Sequence, residues 1–185
     1  EELLSLIDNV LWLTSLKSGN PSVVLERFDI ERIISEITEK YSRVLLEKKV
    51  ELLIQLPATG VPVCSDLSKL ERIFQNLFDN AIKFTPGGQI TVKADYTADK
   101  ESVNLEVLDT GVGIPKERLG SVFEPFLILG KSGTREFSGL GIGLSVAQKL
   151  TKLLGGTLRL NSQPDIGTHV IMSIPCRLES GGEEQ

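Results

Sequence analysis

The sequence predicts an α/β fold. Two kinds of segment follow one another along a single chain of 185 residues: stretches with apolar residues at helical spacing, and stretches where apolar and polar residues alternate. Glycine, proline and asparagine clusters punctuate them, as turns between packed elements require. The length suits one ordinary core with an appendage. A hydrophobic content of 41% and a charged content of 24% are those of a soluble globular protein.

Bulk properties exclude several classes. The net charge is −5 and there is no basic cluster, which argues against a nucleic-acid surface. No apolar run is long enough to span a bilayer and no signal peptide is recognisable, so the expected location is the cytoplasm, on a parent protein that a membrane segment elsewhere could anchor. Cys64 and Cys176 stand far apart without a CxxC or Cys/His grouping, which predicts two reduced thiols. His169 is the single histidine, so no multi-histidine metal site exists.

Taken in order, residues 1–17 repeat apolar positions at Leu3, Leu6, Ile7, Val10, Leu13 and Leu16. This is a helix of the kind found in bundles and coiled coils. Ser18-Gly19-Asn20-Pro21 ends it. An extended piece over 22–28 leads to Asp29, an N-cap, and a helix bearing Ile33, Ile34, Ile37, Tyr41, Val44 and Leu45 on one face, closed by Lys48-Lys49. Residues 50–56 read as a strand and 61–64 as a short second one. Asp66 then caps a helix with Leu67, Leu70, Ile73, Phe74, Leu77, Phe78 and Ala81 at helical spacing, stopped by Pro86-Gly87-Gly88. Residues 89–96 and 102–108 both alternate and predict an antiparallel hairpin. A helix with Leu144, Ala147, Leu150, Leu153 and Leu154 runs to Gly155-Gly156. Strands over 157–161 and 168–175 follow.

Four patterns carry chemistry. Asn76 and Asn80 lie one turn apart on one helix face, with Lys83 a turn further. Two carboxamide oxygens and an ammonium suit a hard cation carrying a polyphosphate; a solvent-facing polar stripe has the same spacing. Asp109-x-Gly111-x-Gly113 follows a strand, and its carboxylate can accept a hydrogen bond from an exocyclic amine, or simply cap a turn before a short helix at Pro115. Phe123-x2-Phe126 precedes a polar loop over 127–138 with no clear period, long enough to be a lid. Gly139-x-Gly141-x-Gly143 opens a helix, where exposed backbone N–H groups and the dipole favour a phosphate. No Gly-Lys-Ser/Thr follows, so it is not a P-loop. His169 within the last strand reads as a half-exposed structural residue.

Together, in this order and spacing, the four patterns resemble the N, G1, F and G2 boxes of the sensor histidine kinase catalytic domain, a member of the GHKL class of ATP-binding domains. The resemblance runs from about residue 28 to 176, and residues 1–17 resemble the second helix of the family's dimerisation and phosphoacceptor hairpin. It implies a two-layer sandwich of the Bergerat type: a mixed sheet of about five strands, three helices on one face, and an N-terminal helix before it. It implies ATP and Mg²⁺ as ligands, with Asn80 as the metal ligand, Asn76 as a helper, and Asn76, Asn80 and Lys83 as the catalytic set. Phe84 would pack near the adenine, which Asp109 would recognise by its amine while Gly111 and Gly113 shape the loop. Phe123 and Phe126 would hinge the lid, Gly139, Gly141 and Gly143 would meet the phosphates, and Thr168 would support the base pocket. The implied ATP-binding set extends to Ile114, Lys131, Arg135, Leu140, Ile142 and Leu144.

Departures matter as much. The family's phosphoacceptor histidine lies on a helix not present here, so the expected substrate is a histidine-bearing hairpin domain of the same protein, with a response regulator as the next acceptor. The resemblance divides the chain into a hairpin remnant over 1–20, an ATP-binding domain over 21–178 and a polar tail over 179–185. A whole protein of this kind is expected to be a homodimer and this chain a monomer. In the ATP-hydrolysing branch a Glu stands one turn before the metal-binding Asn, where this chain has Asn76, which cannot act as a base at neutral pH. An ATP-hydrolysing machine and a catalytically inert nucleotide-binding scaffold are the rival readings. A dehydrogenase-type domain is excluded by the absence of alternating strand–helix–strand order.

Overall fold

The alternating segments assemble into one five-stranded mixed sheet. The structure is a computed structural model and describes residues 7, 9–12, 14–16, 19, 21–99, 101–126 and 141–175. Its elements are β1 (Glu26–Asp29), α1 (Ile30–Lys40), α2 (Ser42–Lys48), β2 (Val50–Gln55), β3 (Pro62–Ser65), α3 (Leu67–Phe84), β4 (Gly88–Tyr96), β5 (Ser102–Asp109), α4 (Lys116–Leu119), α5 (Gly143–Leu153), β6 (Thr157–Gln163) and β7 (Gly167–Pro175). The main sheet has the order β2-β4-β5-β7-β6. Only β2 and β4 run parallel; the other pairs are antiparallel.

Because side chains alternate across a strand, one face of this sheet is apolar. Ile90, Val92 and Ala94 of β4, Val103, Leu105 and Val107 of β5, and Val170, Met172 and Ile174 of β7 are all buried. They share one core with Ile33, Ile34 and Ile37 of α1, Leu70, Ile73, Phe74, Leu77 and Phe78 of α3, and Val146, Ala147 and Leu150 of α5. The three helices therefore cover one face. His169 and Glu106 alternate with buried neighbours and pair on the other face at 2.8 Å.

Two features depart from the sequence reading. The helix after Asp29 breaks at Tyr41, whose φ of −101° and ψ of 0° leave the α-helical region. The break aims the ring edge-on at Phe78, with centroids 5.6 Å apart, and the hydroxyl donates to the Asp79 carboxylate. Restarting the helix there rotates its second half, so Val44, expected on the buried face, is 37% exposed. The second departure is a separate two-stranded ribbon in which β1 pairs antiparallel with β3. Each strand runs directly into a capped helix. Asp29 accepts from the Glu31 N–H and Asp66 from the Lys69 N–H, which satisfies otherwise orphaned donors. The ribbon thereby sets the starts of α1 and α3 side by side. Near the N-terminus the described residues 7, 9–12 and 14–16 are helical, with Trp12 and Leu16 against the core.

The stacked pair Phe74 and Phe78, with centroids 5.6 Å apart and both fully buried, is the centre of this packing. Phe78→Ala is expected to destabilise the fold by about 3–5 kcal/mol, read as a lower midpoint of urea unfolding at unchanged slope.

Candidate functional site

Helix α3 buries its apolar stripe against the sheet, and that orientation turns Asn76 toward the start of α5. Asn76 is 2% exposed. Its Oδ1 lies 3.2 Å from the point that a Cβ on Gly143 would occupy, so any side chain there would crowd the amide. Its Nδ2 is buried without a hydrogen-bond partner among the described residues. An unpaired buried donor costs about 1–3 kcal/mol, and an amide held in that state is placed to meet a ligand. Asn80, one turn on, and Lys83 are half-buried. The Lys83 ammonium stands 5.1 Å from the Phe84 ring centroid. On the flank of the same two turns, Gln75 and Asp79 are tied to the Tyr41 hydroxyl. Burial pushes the Asp79 carboxyl above the ordinary aspartate range, against the Tyr41 and Gln75 hydrogen bonds and the attraction of Arg72.

The floor is the loop after β5. Asp109 Oδ1 accepts from the Gly111 N–H at 2.9 Å and the Thr168 N–H at 3.2 Å. Its Oδ2 makes no hydrogen bond to a described residue and is left as an open acceptor. Burial raises the carboxyl despite the two donors. The loop is clamped from both sides. Val112 N–H donates to the Phe84 carbonyl at 3.1 Å, and a Cβ on Gly111 would stand 2.3 Å from that oxygen. Gly113 has φ +65°, and a Cβ there would meet the Gln163 carbonyl at 2.0 Å. Both positions exclude any larger residue. The Ile114 N–H donates to the Ser162 hydroxyl at 2.8 Å, which also lies 2.9 Å from the Thr168 hydroxyl. Ser162 and the β6–β7 turn are thus part of the site. Their 48-residue separation from Ile114 leaves no signal of this in the chain's order.

Phe123 is half-buried, and Phe126 is 59% exposed with φ +68°. The Phe126 N–H donates to the Gly141 carbonyl at 3.2 Å, which joins the turn at 126 to the residues before α5. Lys131, Arg135, Gly139 and Leu140 lie outside the described residues. Helix α5 begins at Gly143, after a buried Ile142 at its N-cap that offers no side-chain cap, with half-buried Leu144 next. Its first N–H groups are thus available to an anion. The structure sets Asn76 against Gly143 and, two turns further along α3, Phe84 against a loop cluster of Asp109, Gly111, Gly113, Ile114 and Thr168, while His169 pairs with Glu106 on the opposite face of the sheet.

Among the described residues no three His, Cys, Asp or Glu side chains cluster to hold a metal ion. The donors present are amides: hard oxygen ligands compatible with Mg²⁺ that shares its shell with phosphates and water. The unpaired Asn76 amide, the uncapped α5 terminus and the open Asp109 oxygen fit a nucleotide with its cation.

Asp109 yields a pH test. A carboxyl raised in the folded state binds more protons there than when unfolded, so it lowers stability as pH rises from about the ordinary value of 3.8 through the folded value. Asp109→Asn keeps the acceptor for both backbone donors and is expected to be at least as stable as wild type at pH 7. Thermal unfolding across pH should show the gap closing below about 3.8. Gly113→Ala is expected to cost on the order of 1–3 kcal/mol by strain alone, read in the same assay.

Comparison with known proteins bears on the family and the fold. Residues 65–178 match the family described as histidine kinase-, DNA gyrase B-, and HSP90-like ATPases. The chain is 31% identical over 182 residues to the autoinducer 2 sensor kinase/phosphatase LuxQ of Vibrio parahaemolyticus, covering 96% of this chain and 21% of that protein. It is 30% identical over 174 residues to the sensor histidine kinase RcsC of Escherichia coli, covering 94% and 18%. It thus spans about a fifth of the length of these curated relatives. Among solved structures, full-length ShkA in complex with AMPPNP superposes with a TM-score of 0.82 at 26% identity, over 94% of this chain and 36% of that one. The mycobacterial sensor histidine kinase MprB gives a TM-score of 0.68 at 30% identity, over 83% and 99%.

Proposed function

The chain belongs to the histidine kinase-, DNA gyrase B-, and HSP90-like ATPase family, and from that premise we propose that it is the ATP-binding catalytic part of a sensor histidine kinase. It binds Mg-ATP and passes the γ-phosphoryl group to a histidine on a hairpin domain of its own protein, from which a response-regulator aspartate takes it. The single observation that carries this reading is Asn76: the buried position one turn before Asn80 holds an amide with an unpaired donor. A carboxylate at that place would be a base for water; the amide can only bind and orient. A phosphotransferase to histidine needs no such base, because the attacking imidazole brings its own lone pair and the rate comes from positioning and charge stabilisation.

The roles then follow from the side chains. Asn80 holds the cation by its amide oxygen, and Asn76 donates to a phosphate oxygen or cation-bound water. Lys83 supplies a point charge to phosphate. The N–H groups at the start of α5 receive phosphate oxygens, joined by Gly139, Leu140, Lys131 and Arg135 from the lid. Asp109 Oδ2 accepts from the adenine amine, with Thr168 and Ser162 bracing the carboxylate and loop, and Phe84, Ile114, Ile142 and Leu144 enclosing the base and sugar. Mg²⁺ supplies neutralisation of charge on the transferring phosphoryl group. The relatives named as sensor kinases and the AMPPNP-bound structure support this assignment.

As for context, residues 1–20 are the end of the phosphoacceptor hairpin, 21–178 the catalytic domain and 179–185 a polar tail. The whole protein is a homodimer through that hairpin, this chain is a monomer, and the catalytic part works in the cytoplasm. No helix among the described residues is long and apolar enough to cross a membrane.

Isothermal titration with AMPPNP, with and without Mg²⁺, tests the assignment. Binding should require Mg²⁺, and Asn80→Ala should abolish it while the thermal unfolding temperature stays unchanged. Phosphate release from ATP by the chain alone should remain at background. Rapid release would point to an ATP-hydrolysing machine, and absence of binding under both conditions to an inert scaffold.

A further inference from the structure

The N-terminus of α3 is tied more heavily than capping requires. Asp66 Oδ1 accepts from the Lys69 N–H at 3.0 Å and the Ser68 hydroxyl at 2.9 Å, which is ordinary N-cap work. Its Oδ2 is engaged elsewhere: it accepts from the Val24 N–H at 2.9 Å and from the Lys69 ammonium at 2.6 Å. That ammonium also donates to the Ser22 carbonyl at 2.9 Å and stands 5.9 Å from the Trp12 ring centroid. The side chains of Lys69 and Asp66 are only 6% and 4% exposed. Lysine is almost never buried unless paired, and an asparagine or serine would cap the helix as well without one. The lysine therefore needs another explanation, and its remaining contacts supply it: a linker carbonyl and the tryptophan of the preceding helical segment.

Apolar burial does little to hold that linker. Val23, Val24 and Leu25 are 38%, 64% and 47% exposed, and Ile7, Val10 and Leu11 of the helical segment are 49%, 41% and 62% exposed. Among its described residues the apolar Trp12 and Leu16 pack on the core, and Asn9 is buried. The contacts at Asp66 and Lys69 thus add a polar attachment, beside the packing of Trp12 and Leu16, between the segment before residue 25 and the helix that carries Asn76 and Asn80.

We propose that Asp66 and Lys69 form a latch that fastens the linker at 22–24 and the helical segment bearing Trp12 to the N-terminus of α3. Closed, each Asp66 oxygen accepts two hydrogen bonds, and the Lys69 ammonium donates two and faces the Trp12 ring. Opening returns both ions to water, which limits the cost of release. In the kinase proposed above, a closed latch holds the ATP site at a fixed place relative to the N-terminal segment, and an open one frees it. Burial works to raise the Asp66 carboxyl, but the Lys69, Val24 and Ser68 hydrogen bonds outweigh it and hold the group below the ordinary aspartate range.

Trp12 is the chain's one tryptophan, so its emission reports the latch directly and without nucleotide. Failure here would leave the kinase reading untouched. Lys69→Met alone strands a buried carboxylate and endangers the fold, so the informative variant is Asp66→Asn with Lys69→Met, which keeps an N-cap and buries no charge. Acrylamide quenching of Trp12 should rise about two-fold or more in this double variant, with unfolding still cooperative. Quenching equal to wild type would overturn the proposal. A second reading needs no variant. In the wild-type chain, hydrogen exchange at the Val24 amide should be slowed about ten-fold or more relative to an unstructured peptide. Exchange at the free-peptide rate would equally overturn it.

Discussion

Everything functional in this protein depends on how α3 is rotated about its axis. Leu70, Ile73, Phe74, Leu77 and Phe78 are buried on the sheet, and a helix that buries one stripe has no freedom in where its other residues point. Asn76 lies within the span of that stripe and faces Gly143. A rotation that moved the asparagines would expose the phenylalanines, so the energy that holds the core also aims the site. The Tyr41, Gln75 and Asp79 cluster pins the same two turns from the side.

The site itself is where local rules are broken. Asn76 keeps an unpaired buried donor, the Asp109 carboxyl is raised by burial, α5 starts without a side-chain cap, and Phe126 takes a left-handed conformation. Each is unfavourable for folding alone. Such local departures in an otherwise consistent structure are what the proposed nucleotide site would exploit. Asp66 and Lys69, by contrast, are fully satisfied at the far end of the same helix, where their role is attachment.

Much of this was legible in the chain's order. The α3 period, the Asp29 and Asp66 caps and the β4–β5 hairpin are local patterns, and local patterns survive without tertiary information. The four motifs were legible because each is a short run of residues. The break at Tyr41 was not: neither proline nor glycine marks it, and only the approach of Phe78 and Asp79 makes leaving the helix favourable. The strand over 61–64 was read, but its pairing with β1 was not, because two short segments far apart in the chain carry no local signal of their register. Ser162 and Gln163 escaped because their contacts with 113 and 114 join chain positions about fifty residues apart.

From the sequence came the class of fold and the family, because spacing along a helix and glycine in a turn are properties of neighbouring residues. Tertiary structure alone decided that the Asp109 carboxyl is half-buried with one oxygen open, that Asn76 lacks a partner for its amide N–H, and that Lys69 reaches back to Ser22 and Trp12. Burial and pairing depend on what the rest of the chain brings alongside a residue, and that is known only once distant segments have met.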